Sequence, residues 1–149
     1  MGLLRETLPS DSKMLFDWAN DPETRQMSIN SAPILWENHI AWFERKISDT
    51  HTRMFILAEE NKNIGQIRFD WKDGEWLIGY SVAKEFRGMG FGRKILSAGI
   101  EKIEKGIITG YVKPENKASV KLFRDLGFTE ECTTEESSVK LIKFTIVKS

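Results

Sequence analysis

The sequence predicts a mixed α+β (α/β) domain built on one central sheet. Three observations carry this: helical periodicity after a short first strand, three successive strand patterns joined by tight turns, and then alternation of strand and helix. A strand–helix–strand run implies at least one parallel crossover. A chain of 149 residues suits one domain, spanning 1–149, with a single core.

In order, Leu3 to Leu8 read as a strand, and Ser10 after Pro9 is placed to cap a helix carrying Met14, Leu15 and Trp18 on one side. Asn20-Asp21-Pro22 reads as its end. Trp36, Ile40, Phe43 and Ile47 fall on one apolar stripe of a second helix. Met54 to Ala58, Ile64 to Trp71 and Trp76 to Val82 follow as a strand meander, with turns at Asn61-Lys62-Asn63 and Lys72-Asp73-Gly74. Ile95, Leu96, Gly99, Ile100 and Ile103 restore helical spacing up to a stop at Gly106. Ile107 to Val112 is a strand and Glu115 to Leu126 a helix closed by Gly127. Phe128 onward and Val139 to Val147 are two final strands.

Composition excludes several function classes. Hydrophobic residues make up 40% and charged residues 30%, as in an ordinary globular protein. Lys+Arg and Asp+Glu balance at 22 each, so no global basic field draws the chain to nucleic acid or an anionic membrane, and any anion site must be local. Cys132 is the only cysteine, which excludes an internal disulfide and a cysteine zinc cluster, while His39 and His51 are too few and too far apart for a metal site. The longest apolar runs fall far below the roughly 20 residues of a membrane span, and Arg5 and Glu6 interrupt any secretory segment. A cytoplasmic protein without a metal is expected.

The chemistry concentrates at Arg87-Gly88-Met89-Gly90-Phe91-Gly92. Glycines at alternate positions between a strand end and a helix start let backbone N–H groups approach a ligand that a Cβ would block. Arg93 and Lys94 follow in the first helical turn, where the helix dipole disfavours cations unless an anion offsets them. The spacing fits neither the Walker loop nor the dinucleotide fingerprint, whose third glycine lies one residue later. The competing reading is a glycine-rich turn with surface charges nearby.

Context decides between them. The stretch Tyr80 to Gly92, with Arg87, Gly90 and Gly92 at the positions of [QR]-x-x-G-x-[GA], resembles the signature of the GNAT N-acetyltransferase superfamily. Val112 to Phe128, with Asn116 and a helix ending in Leu126-Gly127-Phe128, is similar to its second segment. The resemblance implies a mostly antiparallel seven-stranded sheet, splayed between its fourth and fifth strands and flanked by about four helices. It implies acetyl-CoA as cosubstrate, its pantetheine pairing with the backbone of Tyr80, Ser81 and Val82 and its pyrophosphate on Arg87, Gly88, Gly90, Gly92 and Arg93. Asn116, Ser119 and Phe123, on one face of the last helix, would complete the donor site.

The resemblance further implies direct attack by an amine, with the N–H of Val82 polarising the thioester carbonyl. Two positions depart from the family pattern. Phe123 stands where many relatives carry a tyrosine that protonates the leaving thiolate, which leaves water or Tyr111 as substitute. Leu77 stands where a glutamate is frequent, and Glu75, two residues earlier on the same strand face, is the base candidate, with a solvent-exposed carboxylate as the competing reading. Cys132 reads as buried or neutral rather than as an acyl carrier.

For the acceptor, the N-terminal half is similar to the subgroup acting on nucleotide-linked 4-amino-4,6-dideoxy sugars. Trp42 projects away from the apolar stripe and His39 sits at its edge, so both could border a cleft, with Arg25 and Arg68 as candidates for a diphosphate. Core packing and surface charge are the competing readings. The partner is thus a small-molecule amine, a nucleotide sugar by preference, and a homodimer is compatible with the sequence. Acetylation of a protein N-terminus or a small amine, and a non-catalytic acyl-CoA-binding module, are the alternatives.

Overall fold

The structure is a computed structural model describing residues 3–136 and 138–149. The chain opens with β1 (Leu3–Glu6) and a 3-10 turn at Pro9–Asp11, followed by α1 (Ser12–Ala19), α2 (Pro22–Met27) and α3 (Trp36–Ile47). The meander follows as β2 (Thr52–Glu59), β3 (Lys62–Lys72) and β4 (Glu75–Val82). Then come α4 (Phe91–Lys102), β5 (Gly106–Val112), α5 (Lys117–Asp125), β6 (Thr129–Glu136) and β7 (Val139–Lys148).

The strands form a seven-stranded sheet in the order β1-β2-β3-β4-β5-β7-β6. All neighbours are antiparallel except β4 and β5, which run parallel and pair only at Glu75↔Ile107, Trp76↔Ile108 and Leu77↔Thr109. Beyond Leu77 the two strands part, giving the expected splay. The tight β3–β4 turn places Asp73 at φ 52° and Gly74 at φ 81°, the positive-φ pair that matches strand twist.

Two local expectations are corrected. Helix α1 starts at Ser12 and is preceded by Asp11, whose carboxylate accepts from the Leu8 N–H at 2.7 Å and from Arg5 at 2.8 and 2.9 Å, so Ser10 is not its cap. Asn20-Asp21-Pro22 ends one helix and begins another. Asp21 caps α2 by accepting from the Thr24 N–H at 3.2 Å, and Pro22 takes the first helical position, where its missing N–H costs nothing. Among the described residues the sheet is therefore flanked by five α-helices, one more than the roughly four expected.

Side-chain alternation along β2 and β3 divides the core. Phe55, Leu57, Ile67 and Phe69 join Ile95 and Leu96 of α4 and Phe123 of α5 on one face, whereas Ile56 packs with Leu15 and Phe43 on the other. The apolar stripe of α3 is buried at Phe43, but its first residue, Trp36, is 40% exposed. Cys132 has its side chain outside the described residues.

Helix α4 reaches the sheet closely because glycine replaces a side chain at the contact. A Cβ on Gly65 would lie 2.5 Å from the Ser81 carbonyl oxygen and 2.5 Å from Ile95 Cδ1. The carbonyl belongs to paired backbone and cannot rotate away. Gly65→Ala is therefore expected to lower unfolding stability by about 1–3 kcal/mol, measured by urea denaturation.

Candidate active site

Opening β4 from β5 exposes backbone. The Ala83 N–H donates to the Ile64 carbonyl at 2.8 Å, so residues of the Ala83 and Ser81 set face β3. Strand alternation then turns the N–H groups of Val82 and Tyr80 the other way, into the gap that β5 leaves. The Val82 carbonyl, likewise free of β3, accepts from Arg87 Nε at 3.1 Å.

A cavity of about 780 Å³ fills this gap. Its walls include Tyr80 to Val82, Arg87, Gly88, Gly90, Gly92 and Arg93 on one side, and Tyr111, Asn116, Ser119 and Phe123 on the other. All eleven residues expected to hold the donor thus line one space. Gly88 and Gly90 adopt φ 75° and 85°, a left-handed conformation that a Cβ penalises. Gly90 caps α4 without a side-chain bond, so the first N–H groups of the helix stay available to an anion. Gly92 also serves packing, since a Cβ there would stand 3.0 Å from Leu122 Cδ1.

The donor-site side chains are less free than their spacing suggested. Arg87 turns toward α2, with Nη2 2.8 Å from Asp21 Oδ2 and Nη1 2.9 Å from Glu23 Oε2, so its guanidinium is already engaged. Arg93 pairs with Asp125 at 3.1 Å, and Lys94 with Glu59. Asn116 Oδ1 caps α5 by accepting from the Ser119 N–H at 3.3 Å. Ser119 Oγ lies 2.5 Å from the Tyr80 hydroxyl, a contact between residues 39 apart that no local pattern announces. Phe123 is buried, stacked on Phe144 at 5.3 Å and edge-on to Phe128 at 4.8 Å.

A second cavity, about 460 Å³, opens on the opposite face between α1, α2, α3 and the sheet. It shares Thr24, Ser28, Gly79, Tyr80 and Ser81 with the first, so the two meet across β4. Arg25, His39, Trp42 and Arg68 all line it, yet two of them are tied down. Arg25 gives Nε to the Ala19 carbonyl at 2.6 Å, Nη1 to Asn30 and Ala32 carbonyls at 3.0 and 3.2 Å, and Nη2 to Ser28 Oγ at 3.1 Å. It organises the α1–α3 connection, which corrects its expected role at a diphosphate. His39 is 4% exposed, and its Nε2–H donates to the Ser12 carbonyl at 2.9 Å. Burial among Trp36, Trp42 and Phe43 holds its pKa below the usual histidine value, so the ring packs neutral instead of edging the cleft.

Arg68 and Trp42 keep the expected exposure to the cavity. The guanidinium lies over the Trp42 ring at 4.9 Å and gives Nε to Asp70 Oδ2 at 2.8 Å. Gly79 lies across from it on β4, where a Cβ would make only ordinary contact with Arg68 Nη2 at 3.7 Å. Burial alone would raise the pKa of Asp70, but Arg68, Lys46 at 2.9 Å and Thr52 at 2.9 Å outweigh it and hold the carboxyl low.

Glu75 is not brought to the site. It begins β4, seven residues and roughly 23 Å from Val82 along the strand, where Lys143 Nζ stands 3.8 Å away. Glu75 shares a strand face with Leu77 by alternation, but lies at the far end of β4 from Val82. No group of three or more potential metal ligands occurs among the described residues, and no helix among them is long and apolar enough to cross a membrane.

The acetyltransferase (GNAT) domain family matches residues 3–129, and the chain belongs to that family. It is an acetyl-CoA-dependent N-acetyltransferase. The chain is 29% identical over 121 residues to the L-methionine sulfoximine/L-methionine sulfone acetyltransferase of Salmonella typhimurium, covering 74% of this chain and 70% of that one. It is 23% identical over 122 residues to the acetyltransferase PseH of Campylobacter jejuni, covering 78% and 76%. The Vibrio cholerae spermidine N-acetyltransferase, solved with CoA and spermine, superposes with a TM-score of 0.85 at 16% identity, over 99% of this chain and 95% of that one.

Two outcomes are expected. Replacing Gly90 by valine strains a left-handed position by about 1–2 kcal/mol and should abolish thermal stabilisation by acetyl-CoA. An unchanged shift would refute the loop's role. Asp70, its folded pKa depressed, stabilises fully above the unfolded value near 3.9 and loses that contribution as pH falls through the folded one. Asp70→Asn should therefore melt below wild type at neutral pH, with the gap closing in acid below about pH 4.

Proposed function

We propose that the protein acetylates the primary amine of a nucleotide-linked amino sugar, the amine attacking the thioester carbonyl directly. The observation that carries this is the charge of the acceptor cavity. Among the described residues lining it there is no aspartate or glutamate, while Arg68 lies over Trp42 and Asn38 and Gln66 add neutral polar groups. A polyamine or other polycation needs carboxylates to replace its water, and this cavity has none to offer. An acceptor with an anionic arm and a flat or ring-shaped body suits an arginine on an aromatic face. The resemblance of the N-terminal half to the sugar-nucleotide subgroup supports the same class.

In this reading the N–H of Val82, turned into the gap, holds the carbonyl oxygen as it becomes an oxyanion, while the N–H of Tyr80 on the same edge pairs with the pantetheine arm. The first turn of α4 and the Gly88–Gly90 backbone hold the pyrophosphate, and Asn116, Ser119 and Phe123 flank the pantetheine. Ser81, whose Oγ accepts from Gln66 Nε2 at 3.1 Å, faces the acceptor side and can hold the attacking amine. With no carboxylate beside the amine, its proton leaves to solvent. The rate kcat/KM should then rise with pH along the titration of the acceptor amine itself; a limb at a carboxylate pKa would oppose this account.

A second reading, a small zwitterionic amine, is favoured by the same Arg68, which can pair with a carboxylate as well as with a phosphate. Incubation with acetyl-CoA and a panel of uridine-diphosphate amino sugars, amino-acid sulfoximines, peptides and polyamines decides the matter by the mass gain of one acetyl group. Acetylation confined to polyamines or peptides would refute both. Arg68→Ala should raise KM for an anionic acceptor by roughly 10–100-fold, the loss of one charge-assisted bond, with KM for acetyl-CoA unchanged.

A further inference from the structure

Transfer from sulfur to nitrogen takes place where the donor and acceptor cavities meet, and Tyr80 stands at that junction. Successive residues of β4 face opposite sides. Ser81 meets Gln66 on the acceptor side, whereas Tyr80 turns toward α5, where its hydroxyl lies 2.5 Å from Ser119 Oγ. Its ring also meets Phe123 edge-on, with centroids 6.3 Å apart. Phe123 is the α5 position at which family resemblance places a proton-donating tyrosine, and phenylalanine has no proton to give.

The other hydroxyls at the junction are engaged elsewhere. Thr24 Oγ1 contacts Asp21 and Arg87, and Ser28 Oγ donates to the Thr24 carbonyl at 2.7 Å. Tyr111, the substitute considered from sequence, follows Gly110 on β5. Gly110 is the residue that faces Phe123, where a Cβ would stand 2.8 Å from the ring, whereas Tyr111 borders the donor cavity as an exposed residue at its wall. Tyr80 and Ser119 alone among these hydroxyls are bonded to each other, on the α5 side and inside the donor cavity.

We propose that the Tyr80–Ser119 hydroxyl pair protonates the leaving sulfur, in place of the helix tyrosine that this chain lacks. The inference rests on the acetyl-transfer reading above. As the new C–N bond forms and the C–S bond breaks, one O–H of the pair gives its proton to sulfur and the other hydroxyl refills it. The proton lost by the amine restores the pair through solvent. A neutral amine and a thioester thus become an amide and a thiol with no further reactant. Burial raises the pKa of the Tyr80 phenol, the Ser119 bond partly offsetting this, so the pair holds its proton across the working pH range.

The test needs no acceptor. Free CoA is bound to wild type, Tyr80→Phe and Ser119→Ala, and its thiolate is titrated by ultraviolet absorbance. A hydrogen-bond donor stabilises the thiolate, so the bound thiol should titrate lower in wild type, and each variant should raise it by about one unit. With an acceptor from the panel, kcat should fall about 100-fold in Tyr80→Phe while KM for acetyl-CoA stays within about twofold. Thiol titration and kcat unchanged in a folded variant that binds CoA would overturn the proposal while leaving the transferase reading intact. If Tyr80→Phe fails to fold, Ser119→Ala decides alone. If acetyl-CoA does not stabilise wild type at all, the transferase reading falls and the pair's role falls with it.

Discussion

The active site depends on one packing constraint, the Phe123 ring lying across β4 and β5 just where they stop pairing. Gly110 and Ile78 receive it: a Cβ at Gly110 would stand 2.8 Å from the ring and 3.1 Å from Ile78 Cγ2. Phe144 and Phe128 back it from β7 and the end of α5. With this ring in place, the parallel pairing ends at Leu77↔Thr109, and the polar backbone of β4 beyond it must find partners elsewhere. In the proposed function a ligand with an amide-bearing arm supplies them. The donor site is thus a stretch of unfinished sheet, held open by a core residue.

The same strand divides labour between its faces. Even-numbered residues of its C-terminal half look toward α4 and α5, odd-numbered ones toward α1 and α3, and the backbone edge looks into the gap. Donor, acceptor and oxyanion groups can therefore lie within three consecutive residues without crowding. This economy explains why the chain accommodates phenylalanine at position 123. The position is required for its ring, and a hydroxyl can arrive from across the gap.

Much of this was legible in the sequence. The meander, the alternating second half, the glycine loop and the α5 face each have a short-range signal, whether period, turn residue or motif, and all eleven donor-site residues line one cavity. What was not legible depended on distance through space. Pro22 reads as a stop and acts as a start, because only the bond from Thr24 to Asp21 distinguishes the two. His39 lies where a helical projection puts it and Arg25 sits on a helix no pattern announced, but the partners of both, the carbonyls of Ser12 and Ala19, belong to α1. Glu75 has the right face and the wrong end of the strand. The Tyr80–Ser119 contact joins two elements that local patterns treat separately.

Arg87 adds a polar link between the two cavities. Its guanidinium ties the loop after β4 to Asp21 and Glu23 at the start of α2, and Thr24 of α2 with Ser28 just after it lines the second cavity. On the proposed assignment of the two cavities, a change that reshapes α2 to admit a different acceptor would pull on the loop proposed to hold the donor. On that assignment, divergence toward new substrates in this scaffold would be constrained: acceptor preference and cofactor affinity would be inherited together, a variant selected for one carrying a change in the other.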